Sequence, residues 1–150
     1  MEEIIINNDE RFMRVAIDEA RKAYEKDEVP IGAVIVCKNT IIAKAYNLVE
    51  TLKDPSAHAE MQAITAAANW LGSKYLKDCT IYVTIEPCSM CAAALGWAQI
   101  DKIVYGASDP KKGFSTIAPK VLHPKTTVVG GICDEECGSL MRDFFKEKRK

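Results

Sequence analysis

The sequence predicts a layered α/β domain built on one mixed sheet, and three observations carry that prediction. Short β-branched runs at residues 31–37, 40–46, 80–85, 100–105 and 126–132 alternate, after the first pair, with helical stretches or a long loop. The first pair reads as an antiparallel hairpin, whereas strands reached across a helix are expected to lie parallel. At 150 residues and 48% hydrophobic content, the chain can bury one core but is short for two, so a single domain over 1–150 is expected.

Each element follows from local chemistry. Asp9 is a plausible N-cap for a helix whose apolar stripe is Phe12, Ala16, Ala20 and Ala23, with Met13, Ile17 and Tyr24 alongside. Arg11, Arg14, Asp18, Arg21 and Lys22 fall on its wet side. Val29-Pro30 ends it, and 31–37 then reads as a buried strand joined through a tight Lys38-Asn39 turn to 40–46. Residues 47–57 are polar and carry Asp54-Pro55, so a loop is expected, followed by a helix over 58–71 with Gly72 just past its end. After the strand at 80–85, Glu86 is the exit and Pro87 fits the first position of a helix running to Trp97. A strand at 100–105, a loop rich in Lys, Gly and Pro at 106–125, a fifth strand at 126–132 and a helix from 134 into a basic tail complete the order.

Composition removes several function classes. The longest apolar runs, 31–37 and 64–68, are too short to span a membrane, and Met1-Glu2-Glu3 is acidic where a secretory signal is basic, so a cytoplasmic protein is expected. Six cysteines in such a compartment favour thiols as metal ligands over disulfides. The net charge of −1 hides an asymmetry: ten basic against fifteen acidic residues over 1–101, then ten against six over 102–150. The basic end, Lys146, Lys148, Arg149 and Lys150, permits a polyanionic partner, but it also suits a helix end complementing its dipole.

Two short stretches carry the chemistry, His58-Ala59-Glu60 and Pro87-Cys88-Ser89-Met90-Cys91. Thiols three apart at a helix start share a face and can take two vertices of a zinc tetrahedron, and the helix N-terminus favours thiolate. His58 opens the other helix, and helix N-termini on parallel strands gather at one sheet edge. His58, Cys88 and Cys91 would leave a fourth position for water, the pattern of a catalytic rather than a structural zinc site. Glu60, two residues from the imidazole, is placed to accept and return protons. Singly, a Cys-x-x-Cys is also a redox pair or half a structural zinc site; in combination with His-x-Glu it is the signature of zinc deaminases acting on nucleobase amines.

The remaining candidates have plainer readings. Cys133 and Cys137, four apart, have no adjacent histidine and are expected in the core, as is Cys37. His123 is expected to be structural or exposed, and Trp70 and Trp97 to be core or interface anchors.

Over nearly its whole length the sequence resembles the bacterial tRNA-specific adenosine deaminases of the cytidine deaminase-like superfamily. The matching stretches include Glu28-Val29-Pro30-Ile31-Gly32-Ala33-Val34, Asn47, Asp54-Pro55-Ser56-Ala57-His58-Ala59-Glu60 and Tyr82-Val83-Thr84-Ile85-Glu86-Pro87-Cys88. They continue through Gly106-Ala107-Ser108-Asp109-Pro110-Lys111-Lys112-Gly113, Val121-Leu122-His123-Pro124, Glu136-Cys137 and Asp143-Phe144-Phe145. The resemblance implies a three-layer cytidine deaminase-like fold, a five-stranded mixed sheet with helices on both faces, and one zinc per subunit on His58, Cys88 and Cys91. It further implies that Glu60 shuttles protons, Asn47 binds the flipped base, Asp109 contacts the preceding nucleotide and Phe145 packs on the anticodon loop. Lys111, Lys146 and Lys148 would lie near phosphates, in a homodimer that converts the wobble adenosine of a tRNA to inosine without a nucleotide cofactor. Ser108 stands where the family often has Arg, and Gly113-Phe114-Ser115-Thr116 replaces a run of small residues. The alternatives left by the residues alone are a free guanine or cytosine deaminase and a catalytically silent, zinc-stabilised RNA-binding module.

Overall fold

A computed structural model of the chain describes residues 8–149; Met1-Glu2-Glu3 and Lys150 lie outside the described residues. The elements run α1 (Asn8–Glu25), β1 (Gly32–Cys37), β2 (Thr40–Tyr46), α2 (Val49–Leu52), α3 (Ala59–Leu71) and β3 (Cys79–Ile85). They continue with α4 (Ser89–Trp97), β4 (Lys102–Ala107), α5 (Phe114–Ile117), β5 (Thr127–Val129) and α6 (Asp134–Lys148). The sheet order is β2-β1-β3-β4-β5. β1 pairs antiparallel with both β2 and β3, while β3, β4 and β5 are parallel neighbours, as the crossovers require.

Alternation along the central strands builds two cores. Ala33 and Ile35 of β1, with Ile81 and Val83 of β3, face α3 and α4 and meet Ala59, Ala63, Ala67 and Leu95. Val34, Val36, Tyr82 and Val104 point the other way, onto Phe12, Met13, Ala16 and Ile17 of α1 and Cys137 of α6. Helices therefore cover both faces, giving the three-layer α/β/α arrangement. Small residues let α3 lie close to the sheet, because its buried positions are mostly alanine. The hairpin turn has positive φ at both Lys38 and Asn39, 48° and 69°, the primed geometry whose twist matches the flanking strands.

Several boundaries differ from expectation. Asp9 lies within the first turn of α1, where its carboxylate accepts from Tyr82 Oη at 2.8 Å and Lys102 Nζ at 3.1 Å. α4 begins at Ser89, not at Pro87: Cys88 is held extended (φ −72°, ψ 173°) by a bridge to Gly113, and the Pro87 carbonyl accepts from Phe114 N. β4 is shifted to Lys102–Ala107, and β5 is shortened to Thr127–Val129, beyond which Gly131 (φ 85°) breaks the regular ladder while its N–H still reaches the Gly106 carbonyl at 3.1 Å. The two polar loops contain the short helices α2 and α5. Trp70 and Trp97 are not core: they are 62% and 84% exposed. No helix among the described residues is long and apolar enough to cross a membrane.

Candidate active site

The C-terminal ends of β2, β3 and β4 open at one edge of the sheet, and there the chain turns into α3 and α4. His58 and Cys88 are the N-cap residues of these two helices, and Cys91 lies in the first turn of α4. Gln62 fixes the approach to His58 by donating from Nε2 to the Tyr46 and Ala57 carbonyls at 2.9 and 3.1 Å. His58 Nδ1 consequently lies 3.6 Å from Cys88 Sγ and 3.5 Å from Cys91 Sγ. Tetrahedral zinc, with Zn–S near ~2.3 Å and Zn–N near ~2.05 Å, sets nitrogen and sulfur about 3.6 Å apart. The observed spacing fits the ion, and among the described residues this is the His/Cys/Asp/Glu group able to hold a metal.

Electrostatics within the trio follow from shared protons. The Cys91 thiol donates to Cys88, which with the His58 contact lowers Cys88 to about 4, while the same bond and burial push Cys91 up. His58 is raised chiefly by its hydrogen bond with Cys88. Glu60 is buried beside them, and burial raises its carboxyl to about 7. Among the described residues its Oε1 is the buried side-chain oxygen or nitrogen left without a hydrogen-bond partner. A buried polar atom left so beside a three-ligand cluster is what a water-activating site requires.

A cavity of about 730 Å³ opens above these groups. Asn47, Asp109, Lys111 and Phe145 line it together with His58, Glu60 and Cys88. Asn47 is 5% exposed, near the floor, whereas Phe145 is 41% exposed. One wall is a single face of α6, Gly138, Met141, Arg142 and Phe145, at the i, i+3, i+4, i+7 spacing of a helical stripe. Asp109 Oδ1 accepts from the backbone N–H groups of Lys111 and Lys112 at 3.1 and 3.0 Å, which shapes the loop that forms the opposite rim. Lys146 and Lys148 are not brought to this cavity. Lys148 pairs with Asp27 at 2.5 Å and lies over the Phe144 ring, beside a neighbouring shallow groove, while Lys146 is exposed on α6.

Sequence reasoning passed over two buried carboxylates that line the same cavity, Glu28 and Glu86. Glu28 accepts from the Glu50 and Thr51 backbone N–H groups at 3.0 and 2.6 Å and from the Thr51 hydroxyl at 2.6 Å, and so holds α2 beside Asn47. Both residues stand within the matching stretches of sequence, but their partners are distant backbone groups that spacing does not reveal. Cys137 is in the core and Cys133 only partly buried, and His123 Nδ1 accepts from Lys125 N–H at 3.1 Å.

Two helix N-termini converging on a sheet edge with an imidazole, two thiols and a buried carboxylate define the zinc-dependent nucleobase deaminases as a class. Residues 6–107 match the family model for the cytidine and deoxycytidylate deaminase zinc-binding region. Among curated proteins, the chain is 47% identical to the tRNA-specific adenosine deaminase of Bacillus subtilis over 150 residues, covering 97% of this chain and 93% of that one. It is 45% identical to the tRNA-specific adenosine deaminase of Aquifex aeolicus over 144 residues, covering 93% and 95%. A solved structure from a study of A-to-I editing by tRNA:A34 deaminases at the wobble position of transfer RNA superposes with a TM-score of 0.81 at 41% identity, covering 87% of this chain and 98% of that one. Within the zinc deaminases, the chain belongs to the tRNA-specific adenosine deaminase family.

Proposed function

We propose that the protein hydrolyses adenosine to inosine and ammonia at the wobble position of a tRNA anticodon loop. The observation that carries this reading is the partnerless Oε1 of Glu60 at the floor of a cavity whose rim is made by the 108–112 loop and the Phe145 face of α6. A cavity of about 730 Å³ admits a whole nucleoside, and a rim carrying Lys111, Lys112, Arg142 and Phe145 suits the flanking strand of an RNA loop.

His58, Cys88 and Cys91 would hold the zinc ion, which when bound acidifies a water so that it attacks near neutral pH. Glu60 Oε1 takes the proton released by that water and delivers it to N1 of adenine, which makes C6 electrophilic. The same carboxylate passes the second proton to the departing amine, so it ends each cycle as it began. A carboxyl raised by burial is suited to both directions of transfer. Asn47, almost buried on the floor, is placed to hydrogen-bond the base and orient C6 toward the metal site. An unpaired anticodon loop supplies a base that is cheap to splay out into the cavity. Asp109 contacts the preceding nucleotide, Phe145 packs on the loop, and Lys111 faces its phosphates; exposed Lys146 extends that charge along α6, with a smaller part for Lys148, which is paired with Asp27.

Exposed Trp97 (84%), Ile117 (54%) and Met90 (36%), on α4 and α5, support a homodimer formed through that face. A tRNA substrate implies a cytoplasmic protein. The test is inosine formation in an anticodon stem-loop by the zinc-loaded protein and its Glu60→Gln variant. Unchanged zinc content with loss of inosine supports the proton role, and an active Glu60→Gln protein would overturn it.

A further inference from the structure

Glu86 is a buried carboxylate, 4% exposed, at the junction between β3 and the metal-binding turn. None of its partners belongs to the metal site. Its Oε1 accepts from the Asp109 backbone N–H at 3.0 Å, and its Oε2 accepts from the Ser115 backbone N–H at 3.0 Å and the Ser115 hydroxyl at 2.5 Å. The chain between these donors crosses directly over the carboxylate at Gly113, where a Cβ would sit 2.4 Å from Glu86 Cδ. The loop approaches this closely only because residue 113 has no side chain. Within the clasp a backbone bridge joins Gly113 to Cys88, with Phe114 N donating to the Pro87 carbonyl at 2.9 Å.

We propose that Glu86 is a positioning residue: it pins the 108–115 segment, and with it Asp109 and Lys111, at the rim of the cavity, and so governs the grip on RNA rather than the chemical step. Phe114 is the segment's buried apolar side chain, 4% exposed, and a largely polar loop held at one such point sits at the low end of local stability. Both of its ends are instead tied to one buried group. The donors are two backbone N–H groups and one hydroxyl, and a carboxylate accepts all three at once, which no neutral side chain of this size does. The role rests on the RNA-editing reading for its functional consequence, while the clasp itself is a matter of geometry.

The test is Glu86→Gln in the zinc-loaded, full-length protein. The amide oxygen can serve Ser115, which leaves an NH2 group facing the Asp109 N–H. Hydrogen exchange is expected to quicken about tenfold or more at the amide of 109 and less at 115, with α3 and β3 unchanged. Zinc content should be unaffected, and KM for an anticodon stem-loop should rise about tenfold with kcat within threefold. Ser115→Ala, which removes only the hydroxyl, should shift the same quantities less, and it decides the matter if Glu86→Gln does not fold. Unchanged exchange at 109 and 115, or loss of zinc with KM unaltered, would overturn the proposal. Should the unsubstituted protein fail to edit the stem-loop, the functional reading fails, and the exchange rates still decide whether the clasp exists.

Discussion

Replacing Glu28 with Gln removes one oxygen acceptor at a site with no solvent access, where three donors converge. The best orientation of the amide keeps its oxygen on Thr51, which supplies two of those donors, and turns the NH2 toward the Glu50 N–H. An orphaned buried N–H costs about 1–3 kcal/mol, and two bonds that fall from charge-assisted to neutral lose roughly 1 kcal/mol each. Relief from burying a charge offsets part of this, so the net loss is about 2–4 kcal/mol. For a chain of this length that corresponds to a fall in Tm of roughly 5–15 °C. The pH dependence has a definite sign. Burial pushes the Glu28 carboxyl up, but hydrogen bonds from the Thr51 hydroxyl and the Glu50 and Thr51 backbone outweigh it and leave the group lowered. A lowered carboxylate contributes stability above its unfolded value near ~4.3, and that contribution disappears as pH falls through the folded value. Urea denaturation of both proteins at fixed zinc should therefore show a constant gap from neutral pH down to about 5 and a closing gap below about 4. A Glu28→Gln protein within about 0.5 kcal/mol of the parent at pH 7.5 would refute the reasoning, because surface substitutions routinely fall in that range.

Other outcomes follow from the same geometry. Gly32→Ala places a Cβ 2.1 Å from the Ala16 carbonyl oxygen and 2.5 Å from Ala20 N, so α1 must lift from β1. A loss of about 2–3 kcal/mol is expected in denaturant titration, and no loss would mean that α1 moves freely. His58→Ala should abolish stoichiometric zinc binding and inosine formation together, as should a strong chelator, with metal content read by absorption spectrometry and activity restored to the chelated parent by added zinc. Lys111→Ala should flatten the salt dependence of RNA binding by about one in log–log slope. Lys148→Ala should flatten it less, since Lys148 is already paired with Asp27, and equal slopes for the two variants would show that pairing to be inconsequential.

The zinc cluster was legible because its ligands are chemically rare and their spacing maps onto helix starts: His58 and Cys88 are both N-cap residues, and Cys91 is one turn further on. Strand order was legible in part, since the hairpin and the helical crossover fix relative direction without naming neighbours; that β1 sits between β2 and β3 came only from the structure. Glu28 and Glu86 were not legible as anchors. A glutamate in sequence looks like a solvated charge, and the donors that justify burying it lie 22 to 29 residues away in loops with no periodic signal. Pro87 misled for a related reason, as the bridge from Cys88 to Gly113 delays the helix to Ser89. Four-residue helices such as α2 and α5 leave no pattern to read, because one turn holds a single period and nothing repeats. The tail charges were visible, but not that Lys148 turns toward Asp27 and away from the cavity.

His58, Glu60, Cys88 and Cys91 suit hydrolytic deamination of many bases, so the substrate is chosen elsewhere in the cavity. The measurement that tests that choice most directly is product analysis after the zinc-loaded protein is offered an anticodon stem-loop with adenosine at the wobble position, beside free adenine, guanine and cytosine. Inosine at that one position and no turnover of the free bases are expected. Turnover of guanine or cytosine with none on the RNA would contradict the RNA-editing reading and would reassign the cavity to a free-base deaminase.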